Sequence, residues 1–160
     1  MQKIQRLIDI FGYISAILSL VLAILIVYDV VMRSLFNSGS IAIQELQWHI
    51  FDLIFLFAIG FTLKDDEHIR VDIIYERYPR KWKKIIDTLG NLLFIIPFSL
   101  AIIYFSILFV EQSFLQNEIS PNPNGLHFRY IIKSTIVIGF FLLLLQSILL
   151  IIKNFKEGFK

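Results

Sequence analysis

Four predominantly apolar runs dictate what this chain can become: Leu7–Val31, Ile41–Leu63, Leu89–Val110 and Tyr130–Ile152. A helix needs roughly 20 such residues to cross the hydrocarbon of a bilayer, and each run reaches that length. The composition agrees, with 57% hydrophobic and 18% charged residues, where soluble domains carry about a quarter charged. The connections are too short to hold a separate soluble domain. Residues 1–160 therefore read as a single membrane domain, an all-α integral membrane protein with four transmembrane helices. Lys3 and Arg6 precede the first run as they would a secretory signal. That run is longer than a signal core of about 7–15 residues and is followed by no small-residue cleavage site. It is expected to remain as the first helix.

One segment breaks the apolar pattern. Leu63 to Lys84 holds 12 of the chain's 28 formally charged residues. With a cytoplasmic N-terminus, four crossings put both tails and this segment on one side. That side then carries twelve Lys or Arg, against Arg33, Arg129 and Lys133 on the other. The asymmetry follows the positive-inside rule, which operates on short loops, so both termini and Lys64–Lys84 are expected to be cytoplasmic. The basic residues are sorted by membrane side, and no nucleic-acid partner is implied. Within the segment, Val71, Ile74, Tyr75 and Tyr78 recur at helical spacing opposite Asp72, Glu76 and Arg77, up to Pro79. This predicts a short amphipathic helix over about 71–78, lying in the inner interface with its apolar face down. Trp82, Lys83 and Lys84 follow at headgroup depth, where phospholipid, above all anionic lipid, attracts cations.

Polar residues inside the spans mark the next features. Gly12, Ala16, Ser19 and Ala23 form a small-residue row along helix 1, of the kind that lets membrane helices approach closely. Asp29 and Arg33 stand one turn apart and are placed to pair. On helix 2, Glu45, His49 and Asp52 fall at i, i+4 and i+7 and share a face. Asp52 lies eleven residues in from Ile41, about 16 Å deep. Ionisable groups at such depth avoid lipid, so the stripe is expected to face other helices, with Arg33 or a residue of a partner subunit as its charge partner. It serves either as glue to a neighbouring helix or as a proton or ion relay; the first needs only a partner. Trp48 suits the aromatic belt. Pro97 in helix 3 predicts a kink and a freed carbonyl, and the Glu111–Tyr130 connection holds two prolines and an Asn-Gly turn. Lys133 opens helix 4 and is placed to snorkel outward, with Gln146 deeper in the same helix.

Phosphate-cradling loops, H-E-x-x-H zinc motifs and nucleophile elbows are absent from the sequence. There is no cysteine, which excludes disulfides, thiolate metal sites and Cys-ligated clusters. No enzyme activity and no cofactor is expected. Two alternatives stay open: an autonomous small ion-coupled transporter using Glu45, His49 and Asp52, and a haem-anchoring membrane subunit of a redox enzyme using His49 and His127.

Taken together, "DVVMRSLFN", "QELQWHIFD", "HIRVD" and "SPNPNGLHFRYIIKSTIVIGFFLLLLQ" occur in an order and spacing that resembles the small (DctQ-type) membrane subunit of tripartite ATP-independent periplasmic (TRAP) transporters. The resemblance runs from Asp29 to Gln146. It implies a system of the bacterial inner membrane in which a periplasmic binding protein captures an organic acid and a large membrane subunit imports it with a sodium gradient, by an elevator-type movement. The small subunit would be a non-catalytic scaffold beside the large one and part of the docking surface for the binding protein. On that reading Arg33, Glu45, His49, Asp52 and Asp72 are interface or buried polar candidates. Arg129 and Lys133 are docking candidates, and Trp48, Ile74, Tyr75, Tyr78, Trp82, Lys83 and Lys84 anchor the chain at the membrane interfaces.

Overall fold

The computed structural model describes residues 2–64 and 79–157, and its regular secondary structure there is entirely helical. Helix α1 spans Gln2–Phe36, α2 Ile41–Lys64, α3 Arg80–Gly90, α4 Ile96–Leu115 and α5 Arg129–Glu157, with a π-helical turn at Asn91–Ile95 fusing α3 to α4. Among the described residues, four segments are long and apolar enough to cross a membrane: Gln2–Phe36, Ile41–Lys64, Lys81–Leu115 and Arg129–Lys156. The expected interfacial helix at 71–78, with Asp72, Ile74, Tyr75 and Tyr78, lies outside the described residues. Each spanning helix outruns its apolar run, because a run measures the hydrocarbon-facing part and the helix continues into its polar flanks. The 35 residues of α1 extend about 52 Å against roughly 30 Å of hydrocarbon.

The helices run up, down, up, down, and they stand in a row rather than closing into a bundle. Helix α1 packs on α2, α2 on α5 and α5 on α4, while α1 reaches α5 through a smaller contact around Ile8, Leu142 and Leu149. A single layer of this kind leaves much apolar side chain uncovered on both faces. One end of the row, the loop end, carries the Asn37–Ser40 and Gln116–Phe128 connections; the other carries the two tails.

Without a hydrophobic drive between helices in lipid, close packing and interhelical hydrogen bonds hold such a row together. Each interface uses a different means. On α1 the buried positions are Ile8, Gly12, Ser15 and Asp29. This corrects the small-residue row of the sequence: only Gly12 of it is buried, and Ala16, Ser19 and Ala23 are exposed. The contact stripe rotates along the helix through Ser15, with Leu18, Leu22 and Leu25 half-buried beyond it. That is the alternating three- and four-residue spacing of a nearly parallel helix pair.

Between α2 and α5 the main chains nearly touch. A Cβ on Gly139 would lie 2.7 Å from the Leu56 carbonyl oxygen, and one on Gly60 would lie 3.2 Å from the Leu142 carbonyl carbon. Between the third span and α5 the means is small buried residues toward the loop end and hydrogen bonds toward the tails. Ser99, Ser106 and Ser113, seven residues apart, are all buried on α4. Nearer the tails, Ser147 Oγ donates to Asn91 Oδ1 at 2.7 Å and Asn154 Nδ2 donates to Thr88 Oγ1 at 3.1 Å.

Just before Pro97, where the sequence predicts a kink, the helix carries the π turn. Proline has no N–H, so the Leu93 carbonyl four residues back would lose its helical partner. In the wider turn the Ile96 N–H donates to the Asn91 carbonyl five residues back. Such a turn absorbs one extra residue and shifts the phase of the helix. The serine row, continued backward, would bury Leu92. It is Asn91 that is buried, while Leu92 is 52% exposed.

Candidate functional site

The loop end is organised around one carboxylate. Glu45 sits in the second turn of α2, and the Gln116–Phe128 connection folds over it. Its Oε1 accepts from Ser120 Oγ and from Asn122 Nδ2, the latter at 2.9 Å, and its Oε2 accepts from the Leu126 N–H at 2.7 Å. The loop is shaped for this. Helix α4 ends in a Schellman arrangement, with Asn117 in the left-handed region (φ 46°) and the Glu118 N–H returning to the Ser113 carbonyl. Asn122-Pro123-Asn124-Gly125 then makes a turn closed by Gly125 N–H to Asn122 O at 3.1 Å, with Asn124 at φ 60°. Proline followed by a left-handed residue is the type II pattern. Gly125 has no room for a side chain, since a Cβ there would press on Ser120 and come within 2.8 Å of Glu45 Oε2.

A second group ties the loop to α5. Lys133 Nζ binds Glu118 and stands 3.8 Å from the centroid of the Phe109 ring, and Arg129 reaches Glu118 at 4.0 Å. The Lys133 ammonium, with the Arg129 guanidinium behind it, holds the Glu118 carboxyl below the usual carboxylate range. Lys133 thus points toward the loop end, as snorkelling requires, and spends its charge there inside the chain.

Between α2 and α5 a groove of about 750 Å³ opens from this locked end toward the middle of the span. Glu45, His49 and Asp52 line its α2 wall, and Arg129, Ile136 and Phe140 belong to the opposite one. The sequence stripe therefore does project together into one groove, but its members fare differently. Glu45 is fully engaged by the loop. His49 and Asp52 make no hydrogen bond or ion pair with any described residue, and Asp52 is exposed. Trp48, one turn before it, is 75% exposed.

Arg33 is not the partner of this stripe. It binds Asp29 on its own helix, where the Asp29 side chain is buried and the guanidinium remains half-exposed. At the opposite end Lys64 binds Asp9, joining α2 to α1. Trp82 is exposed on α3, with Lys83 and Lys84 half-buried beside it.

Three elements escaped the sequence reading. The loop contribution of Ser120, Asn122 and the Leu126 N–H was hidden because these groups stand 75–81 residues from Glu45. Glu118 was hidden as one acidic residue in a polar loop. The serine row on α4 did leave a signal, its strict seven-residue spacing.

Residues 22–157 match the family described as tripartite ATP-independent periplasmic transporters, DctQ component. The chain belongs to the DctQ family. The match takes in the Asp29–Arg33 pair, the Glu45 lock, the Glu118 cluster and all of α5. A protein of Haemophilus influenzae (strain ATCC 51907 / DSM 11121 / KW20 / Rd), described as a TRAP transporter small permease protein, is 24% identical over 157 residues, covering 98% of this chain and 92% of the relative. As a DctQ component the chain is a multi-pass membrane subunit of a transporter, the small permease component of a tripartite system.

Proposed function

We propose that this chain is the stationary subunit of a TRAP-type secondary transporter that imports an organic acid with a sodium gradient. It stands beside the large membrane subunit as a scaffold, and its loop end forms part of the docking surface for the periplasmic binding protein. The system resides in the bacterial inner membrane with both termini cytoplasmic, an orientation supported by the distribution of Lys and Arg. One observation carries the scaffold reading: the ionisable groups that pair within the described chain gather at the two ends of the row, with neutral polar contacts between them. Asp29, Arg33, Glu45, Glu118, Arg129 and Lys133 gather toward the loop end, and Asp9 with Lys64 at the other. The contacts of α5 with α2 and with the third span, between those ends, use Gly, Ser, Asn and Thr. Close main-chain crossings and fixed hydrogen bonds suit a part that holds still, and a row with two open faces suits a part that is itself packed against another. Arg129 and Lys133 serve docking through the loop they hold rather than as free surface charges.

The test separates scaffold from relay in the reconstituted complete transporter. His49→Gln with Asp52→Asn removes the titrating groups while keeping hydrogen-bonding capacity. Uptake per assembled complex and its pH dependence should match the unmodified transporter. Normal assembly with lost uptake would refute the scaffold role, as would uptake by this chain alone in liposomes.

A further inference from the structure

The described chain leaves one carboxylate where lipid would be its neighbour. Asp52 lies about 16 Å along α2 from Ile41, near the centre of a span, and is exposed there. Its neighbours on the same face, Trp48 and Phe55, are 75% and 60% exposed. Other charges of the groove are matched within the chain: Glu45 by the loop, and Lys133 with Arg129 by Glu118. The unmatched charge is negative and sits at mid-depth. A lone carboxylate facing acyl chains is unfavourable, and intramembrane ionisable groups face protein or water.

We propose that this groove, on the α2 face of Trp48, Asp52 and Phe55, seats a transmembrane helix of the large membrane subunit of the transporter. That helix carries a cation or a strong hydrogen-bond donor opposite Asp52. The proposal rests on the scaffold reading and goes further in naming the face and the chemistry of its occupant. The groove is long enough for two helical turns of a partner, since Trp48 to Phe55 spans about 10 Å of rise. Its α5 wall continues the same surface, because Phe140 packs edge-on against Phe98 of α4 with ring centroids 5.8 Å apart. The occupant therefore meets aromatic and aliphatic walls, and among them the one groove carboxylate that no described residue pairs. His49, one turn nearer the loop end, offers a second polar contact.

The experiment uses the complete transporter in its native membrane, with a photoreactive phenylalanine analogue at position 48 or 55. Controls carry the probe at Tyr13 or Ile24 of α1, which are 68% and 70% exposed. Adducts to the large membrane subunit from 48 and 55, and lipid adducts alone from 13 and 24, are the expected result. A protein adduct from α1 with only lipid adducts from 48 and 55 overturns the choice of face and leaves the scaffold reading standing. An adduct with the mass of two copies of this chain overturns the choice of occupant. Failure of the unmodified chain to co-purify with any other component defeats the scaffold reading itself.

Asp52→Leu supplies the sign of the charge effect. At a lipid-facing site this change would help the chain. At a paired interface it strands the partner's donor, so recovery of the complex should fall by at least about tenfold. Asp52→Asn, which keeps an acceptor, should fall between that variant and the native chain. Full recovery with Asp52→Leu would show that the occupant brings no matching donor and would overturn the proposal.

Discussion

The α2–α5 crossing is set by main chain against main chain, and a single methyl group tests it. In Gly139→Ala the new Cβ would lie 2.7 Å from the Leu56 oxygen and 2.8 Å from the Leu56 Cβ. Ordinary contact begins near 3.4 Å, so α2 and α5 must separate by about 0.7 Å locally, in an interior packed as densely as an organic crystal. Neither atom can swing away, as one is backbone and the other is fixed to it. Overpacking of this kind costs about 1–3 kcal/mol. Replacing glycine by alanine inside a helix also returns up to about 1 kcal/mol of propensity. Gly90→Ala isolates that gain, because nothing lies within 4 Å of the added methyl. The difference between the two variants is then the overpacking alone, roughly 5- to 150-fold in the unfolding equilibrium. Gly60→Ala should fall between them, its nearest neighbours being at 3.2–3.3 Å. With no native cysteine to interfere, dyes on cysteines at Leu46 and Ile131 report helix separation by energy transfer as the SDS fraction rises in mixed micelles. Equal unfolding of Gly139→Ala and Gly90→Ala, within about twofold, would refute main-chain approach as the constraint on this crossing.

Glu45→Leu strips the acceptor from three loop donors, so the Ser120 and Leu126 amides should exchange hydrogen at least about tenfold faster, the ratio that goes with one net hydrogen bond; Glu45→Gln should exchange at an intermediate rate, and unchanged exchange in Glu45→Leu would refute the lock. The depressed Glu118 carboxyl contributes loop closure that is fully present above the ordinary carboxylate range and lost only as pH falls below it. Spin labels on cysteines at Pro121 and Leu46 should therefore hold one distance from pH 7 down to about 5 and spread only in stronger acid, with Glu118→Gln reducing that acid response to the part that comes from the Glu45 carboxylate, which holds the same loop. A double-mutant cycle on Asn91 and Ser147 should give a coupling of about 0.6 kcal/mol, the average for hydrogen bonds between membrane helices, and at most about 1.7; zero coupling would mean the 2.7 Å contact is not held in lipid. A cysteine at Pro121 should react with an impermeant reagent from outside the cell and one at Lys81 should not, the reverse pattern overturning the proposed orientation.

The four spans were legible because a membrane permits few alternatives: long apolar runs must become helices, and the turn at Asn37–Ser40 was written in Asn, Ser and Gly. Which face of each helix packs was less legible. In a soluble protein the apolar stripe marks the core, but here apolar residues face lipid as readily as protein, and periodicity loses its contrast. On α1 the small residues Ala16, Ser19 and Ala23 suggested one stripe, and the structure buries another through Ser15. On α4 the contrast reverses: the buried positions are the polar ones, Ser99, Ser106 and Ser113. The grouping of Glu45, His49 and Asp52 followed directly from helical spacing. Their different fates did not, because engagement of Glu45 depends on a loop brought over it by α4 and α5. The order α1–α2–α5–α4 is likewise a tertiary outcome that no local pattern records.

The π turn gives this chain a residue to spare. From Ser99 back to Asn91 is eight residues, where two turns of regular helix need about seven. Loss of one residue between 92 and 96, together with replacement of Pro97 by a residue that has an N–H, would let the segment relax into an unbroken α-helix. Asn91 would still face Ser147, and Thr88 would still face Asn154. The same deletion elsewhere in α4 would turn everything beyond it by about 100° and carry the serines out of their interface. The third span can thus exist in two lengths with one set of contacts, and this short stretch is where a gap can open between related sequences without moving a helix.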